Sequence, residues 1–131
     1  MELTANQIKK YAKYSVPQLR IKAGSRFRKW IRNRDKDKPC ISCGSTKDLQ
    51  AGHFYSAGHH PGLEFNEDNV NHQCLQCNYH LHGNLNEYRK KLIKLIGAES
   101  VEELDRISDY FRKHGYKHDR IRLIEILIKY G

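Results

Sequence analysis

Two CxxC pairs, Cys40/Cys43 and Cys74/Cys77, constrain this chain more than any other feature. Thiolate sulfur seeks a metal or an oxidant, and a CxxC turn presents two sulfurs to one pair of tetrahedral corners. Two such turns therefore predict a closed four-sulfur zinc site. All four cysteines fall in these pairs, with none left over. A secreted disulfide framework fits the spacing less well, and no signal peptide precedes it. Residues 44–73 between the pairs exceed the loop of the shortest zinc knuckles and carry polar side chains that zinc closure does not require. Zinc reads here as a clamp around something else.

At 131 residues and 38% hydrophobic, the chain suits a single domain spanning 1–131, with a core small enough for a structural metal to matter. Zinc removal is expected to unfold the middle. The longest apolar run is far below membrane-spanning length, so the expectation is a soluble protein without a membrane partner, in a reducing cytoplasm. Twenty-four Lys and Arg against 15 Asp and Glu give a net charge of +9. That balance favours a polyanion, nucleic acid first, through phosphate contacts and counterion release. The bland alternative is a merely soluble basic surface.

In chain order, Thr4 to Gln7 has the form of a capping box opening a helix over 5–14. Pro17 suits the first turn of a second helix, with Leu19, Ala23, Phe27, Trp30 and Ile31 along one face. Its other faces carry Arg20, Lys22, Arg26, Arg28, Lys29, Arg32 and Arg34, nearly all of one sign. These seven are read as DNA backbone contacts, a source of affinity rather than of sequence choice, and residues 1–38 as a basic helical arm. Gly44 permits the knuckle turn. Residues 49–55 predict a strand, 56–62 a turn-rich loop and 63–66 a second strand. A helical turn over 67–71 follows, and helix resumes near Asn78. Asn84 with Glu87 predicts a capped helix over 85–96, and Ser100 to Glu103 a second capping box whose helix stops at Gly115. The segment 118–130 carries Ile121, Leu123, Ile124, Ile126, Leu127 and Ile128, a stripe read as core, with a homodimer interface as the alternative. The fold class is thus α+β, mostly helical, with a zinc-clamped core over 39–96 and C-terminal helices over 97–131.

No repeat, Gly-rich phosphate loop or heptad run is present, so the chemistry falls to the middle. Phosphodiester hydrolysis needs a base for water, a charge-neutralising metal and a group that orients the base. His53, on the first predicted strand, has a suitable reference pKa for the base. Asn69 can orient its imidazole. Asn78, His80 and His82 emerge directly after a rigid knuckle, where they can reach a magnesium or manganese ion. Each assignment has a plainer counterpart. His53 can be an ordinary strand histidine, His72 a partner for a cysteine sulfur, and the Asn78/His82 spacing coincidence. His59 and His60 read as exposed or close to substrate. Tyr55 and Tyr79 can stack on an unpaired base or simply pack.

The strings PCISCG (39–44), AGHF (51–54), LEFNEDN (63–69), HQCLQCNYH (72–80) and GNLNEYRKKLI (83–93) resemble the lambdoid phage NinG family, also called Rap, over about residues 20 to 105. The pattern also looks like the HNH, or ββα-metal, endonucleases. The resemblance implies an HNH core and a structure-specific DNA endonuclease acting on branched recombination intermediates such as D-loops and Holliday junctions. By that resemblance His53 matches the general base, Asn69 the middle Asn, Asn78 the last His or Asn, and His80 the His of the CNxH string. Where HNH enzymes commonly place an acidic ligand before the base, this chain has Gly52, with Glu64, Asp68 and His72 as nearby candidates. The chain also starts without the Cys-containing N-terminal extension associated with the phage proteins, so no function of that extension is expected. Two readings stay open: a metal-dependent nuclease, and a non-catalytic zinc-stabilised DNA-binding module in recombination.

Overall fold

Short-range capping fixes where the first two helices begin. In the computed structural model, which describes residues 1–131, Thr4 Oγ1 accepts from the Gln7 N–H at 3.1 Å while Thr4 N–H donates to Gln7 Oε1 at 2.8 Å. This box opens helix α1, Ala5–Lys10. The helix is shorter than expected because Tyr11, Ala12 and Tyr14 bond three residues back and tighten the chain. That turn delivers Ser15, which with Gln18 forms a second, unanticipated capping box. Helix α2, Val16–Arg34, follows with Pro17 in its first turn.

Helix α2 buries Leu19, Ala23, Phe27 and Ile31, a stripe at spacing four that keeps one face toward the body. Helix α2 therefore packs along its length against the body and does not extend as an arm. Strands β1, Leu49–His53, and β2, Val70–Cys74, pair antiparallel with Leu49 opposite Cys74 and His53 opposite Val70. The second strand expected at 63–66 is not formed. Pro61–Leu63 and Glu67–Asn69 are turns of 3₁₀-helix instead. All five residues of β2 are buried, and three are polar, so no alternating apolar pattern marks the strand. Three of its polar groups find partners inside: Asn71 Nδ2 donates to Tyr88 Oη at 3.3 Å, His72 N–H to Asp35 Oδ2 at 3.0 Å, and Gln73 Nε2 to Ser42 Oγ at 3.0 Å, while Gln73 Oε1 is buried without a partner.

After β2, Gln76–His80 winds as a π-type turn, and His82 and Asn84 take positive φ to reverse the chain. Helix α3, Leu85–Ile96, follows. Asn84 does not cap it, since its amide donates to Cys77 Sγ at 3.5 Å. Helix α4, Ala98–His114, starts straight after Gly97, so Ser100 lies inside its first turn and the expected capping box does not form. Helix α5 spans Arg120–Tyr130, with Asp119 accepting from the Ile121 N–H.

Three small apolar clusters flank the hairpin. Leu123, Ile124, Ile126 and Leu127 of α5 pack with Tyr11, Leu19 and Ala23. Four of the six apolar residues of the C-terminal stripe are thus buried within the chain, while Ile121 stays exposed. Phe27 and Ile31 meet Ala51 and Val70. On the far side, Phe54 and Leu63 join Tyr88, Leu92, Val101 and Leu104 from α3 and α4. No helix is long and apolar enough to cross a membrane.

Candidate functional site

The four cysteine Sγ atoms lie within 4.8 Å of one another, Cys43 and Cys74 at 3.6 Å. Tetrahedral zinc–sulfur bonds of about 2.3 Å separate sulfurs by roughly 3.8 Å, so the set is able to hold zinc. All four thiols are free of disulfides. Local turns make the geometry: Gly44, at φ +80°, donates its N–H to the Cys40 carbonyl at 2.9 Å, and Cys77 N–H donates to Cys74 Sγ at 3.4 Å. Burial pushes the Cys74 thiol up and that of Cys77 up to about 12. At Cys40 burial acts the same way, but N–H donors from Cys74, Cys43 and Ser42 outweigh it and bring the thiol down to about 7. Such donors favour thiolate, the form a metal binds. His72, read as a partner for a cysteine sulfur, instead places Nδ1 3.0 Å from the Lys38 carbonyl.

At the other end of the hairpin, a cleft of about 760 Å³ is lined by His53, Phe54, Tyr55, His59, Asn78, His82, Asn86 and Arg89, among others. His53 Nε2 sits 2.9 Å from the backbone oxygen of Glu64. A carbonyl only accepts, so Nε2 carries the proton and Nδ1 holds the free lone pair. Nδ1 has no protein partner. Burial holds His53 below its ordinary value, against the pull of Glu64, which keeps the ring neutral at pH 7. The result is an oriented, uncharged base.

Asn69 does not touch that imidazole. It is fully buried, donates to the carbonyls of Tyr55 at 2.9 Å and Leu63 at 3.0 Å, and accepts from the Tyr55 N–H at 2.8 Å. It therefore fixes the loop that carries the Glu64 carbonyl, and the carbonyl orients His53. Asn78 and His82 both line the cleft, brought there by the chain reversal at His82–Asn84 rather than by a shared helical face. Asn78 Nδ2 donates to Gln50 Oε1 at 2.7 Å, leaving its Oδ1 unpaired. His80 is exposed beside Tyr79 and does not line the cleft.

The candidates for an acidic ligand also lie elsewhere. The Glu64 carboxylate accepts from Arg20 Nε at 2.8 Å, and His118 Nε2 lies 3.3 Å away. Asp68 borders a separate pocket, and His72 another. Gly52 lies on the strand face opposite His53, where a Cβ would run into the Gln73 side chain. No acid at position 52 fits this hairpin. Beyond the cysteines, no three His, Cys, Asp or Glu groups bring their ligand atoms together.

Three of the seven basic residues of α2 are occupied internally. Arg20 pairs with Glu64. Arg26 donates to the Leu127 carbonyl at 2.9 Å, and Arg34 grips Asp35 through Nε at 2.8 Å and Nη2 at 3.0 Å while Nη2 also meets the Val70 carbonyl. Lys22, Arg28, Lys29 and Arg32 remain exposed and without an acidic partner, Lys22 lying over the Tyr14 ring. Arg89 and Asp105, unmarked by any local motif, form a further ion pair whose arginine lines the cleft.

A polar hairpin with a four-cysteine cluster at one end and a histidine-lined cleft at the other, set among helices, defines a small α+β protein with a four-cysteine knuckle able to hold a metal. Residues 1–127 match the family model described as the bacteriophage lambda NinG protein, and the chain belongs to the NinG family. It is 49% identical to the protein ninG of Escherichia phage lambda over 78 residues, covering 58% of this chain and 38% of that protein. Against the protein ninG of Salmonella phage P22 it is 41% identical over 98 residues, covering 73% of this chain and 47% of that protein. The chain thus spans less than half the length of these relatives. No solved structure matches it.

Proposed function

We propose that this chain is a metal-dependent, HNH-type endonuclease that hydrolyses phosphodiester bonds in branched DNA such as D-loops and Holliday junctions, with zinc held by Cys40, Cys43, Cys74 and Cys77 as a structural clamp. The observation that carries the reading is His53: neutral, fixed through Nε2 by a backbone carbonyl, with Nδ1 unpaired in a cleft. In the proposed step Nδ1 takes a proton from water as the water oxygen bonds to phosphorus. The P–O bond to the leaving oxygen breaks, and that oxygen gains a proton from solvent. The products are one phosphomonoester end and one hydroxyl end.

The donor set of the cleft is an amide oxygen and imidazoles without a carboxylate, which suits a divalent ion held jointly with phosphate oxygens, and manganese above magnesium. Asn78 Oδ1 and His82 would hold it, and it would supply charge neutralisation at the phosphate. Lys22, Arg28, Lys29 and Arg32 supply backbone affinity. The absence of any carboxylate on the cleft favours the second reading, a zinc-stabilised DNA-binding module that does not cut.

The two readings separate in one experiment. Labelled linear, D-loop and four-way-junction DNA are incubated with wild type and His53→Ala in magnesium or manganese. A nick in branched DNA that the variant loses while its gel-shift affinity holds supports the nuclease. Binding by zinc-loaded wild type without any cut supports the module.

A further inference from the structure

Fourteen residues line the His53 cleft, and Arg89 is the sole Lys or Arg among them, with no Asp or Glu. This is sparse for a chain with 24 basic and 15 acidic residues. Burial also holds His53 and His60 below the ordinary histidine value, so neither adds charge at neutral pH. A phosphodiester entering this cleft meets one permanent cation.

That cation is held in place. Arg89 Nη1 and Nη2 donate in parallel to Asp105 Oδ1 at 3.0 Å and Oδ2 at 2.6 Å. The Tyr55 hydroxyl donates to the same Oδ1, and Phe54 lies beneath the guanidinium at 5.9 Å. Tyr55 follows His53 by two residues, so one short segment carries the base and braces the arginine's anchor. A guanidinium has five N–H donors, and the fork to Asp105 uses two. The rest remain for a ligand.

A purely structural bridge between α3 and α4 explains this less well. The side chains of Arg89 and Asp105 are 40% and 33% exposed, and pairs that open to water add little stability. Tyr88, Leu92, Val101 and Leu104 already join the two helices through a buried apolar cluster.

We propose that Arg89 is the phosphate-contacting cation of the cleft and that Asp105, with Tyr55, is its positioning residue. The substrate class is a phosphodiester backbone, and the assignment to cleavage rests on the nuclease reading above. Helix α4 then completes the site, although it contributes no residue that touches substrate.

The test has two arms on the full chain. In the first, four-way-junction DNA is bound with calcium replacing manganese, across a salt series, by wild type, Arg89→Ala and Asp105→Asn. Loss of one phosphate contact lowers the salt slope by about one, so Arg89→Ala shows that drop and Asp105→Asn, which keeps the cation, does not. An unchanged slope for Arg89→Ala overturns the proposal whether or not the protein cuts. In the second arm, single-turnover cleavage in manganese falls about a hundredfold for Arg89→Ala, with Arg89→Lys recovering part of the loss. Replacing the mapped scissile phosphate by a neutral methylphosphonate slows wild type by a larger factor than it slows Arg89→Ala, because only the wild type also loses the contact to Arg89. Additive losses mark Arg89 as merely structural and overturn its catalytic role. If wild type cuts nothing while the slope still drops, the nuclease reading fails and the phosphate contact stands.

Discussion

Cys74 of the cysteine cluster and His53 of the histidine-lined cleft sit at opposite ends of one hairpin, four residue pairs apart, or roughly 14 Å along the strands. The cluster is self-sufficient: four sulfurs converge from two local turns, with N–H donors already aimed at them. The cleft is unfinished. His53 is oriented and the one arginine is anchored, but no carboxylate lines the cleft and no second ligand group is assembled. A complete ligand set suits a structural metal, whereas an open polar cleft leaves positions for a substrate to fill. The comparison predicts that damage at one end appears as lost stability and damage at the other as lost chemistry.

The sharpest way to break that division is at the cluster. Cys74→Ser, or a strong chelator, is expected to cost several kcal/mol, in line with coupled zinc binding and folding, and to cooperatively unfold the hairpin. Thermal melting with parallel zinc quantification checks this. An unchanged melting temperature in zinc-free protein would remove the clamp from the account. At the other end, His53→Ala should lower cleavage by about 10²–10⁴-fold while costing about 1 kcal/mol, because one hydrogen bond to the Glu64 carbonyl is lost. Denaturant melts beside single-turnover rates separate the two effects.

Asn69→Ala tests the connection between the ends. It strands a buried N–H and two carbonyls, for a loss of about 2–4 kcal/mol, and frees the loop that presents the Glu64 carbonyl. Cleavage should fall through misplacement of His53, with the remaining activity shifted in pH profile. A variant that melts early yet keeps a wild-type profile would show that the loop does not set the base.

The smallest effects are pH effects, and both set in as the pH falls. The buried carboxylate of Asp35 suffers from burial, but Arg34 and the His72 N–H outweigh that cost and hold it below the usual carboxylate range. Its stabilisation is present above the unfolded value of about 3.9 and is lost as pH falls through the folded value. His53, held low by burial, is already deprotonated below the ordinary histidine value. The acidic limb of the cleavage profile should therefore lie below about pH 6.5. A limb above that value would assign the titration to another group.

Much of the frame was legible because its signals are short-range. CxxC turns, the Thr4 box and the Gly97 and Gly115 stops are contacts within three or four residues. Strand β2 was misplaced because Asn71, His72 and Gln73 are polar and buried. Their partners Tyr88, Asp35 and Ser42 are distant in sequence, so no local pattern announces them. The same reason hid the Arg89–Asp105 pair and the internal roles of Arg20, Arg26 and Arg34, which as sequence are indistinguishable from their exposed neighbours.

By itself the sequence determined a four-cysteine cluster able to hold a metal, a mostly helical α+β frame, an excess of basic residues and a histidine at the end of the first strand. Local spacing and composition suffice for each. Only the tertiary structure decided which residues share the cleft, that His80 stays outside it, that a backbone carbonyl rather than Asn69 orients His53, and that Gly52 has no room for an acid. These depend on packing between segments far apart in the chain, where side-chain identity says what a group can bond to but not what folding brings within reach.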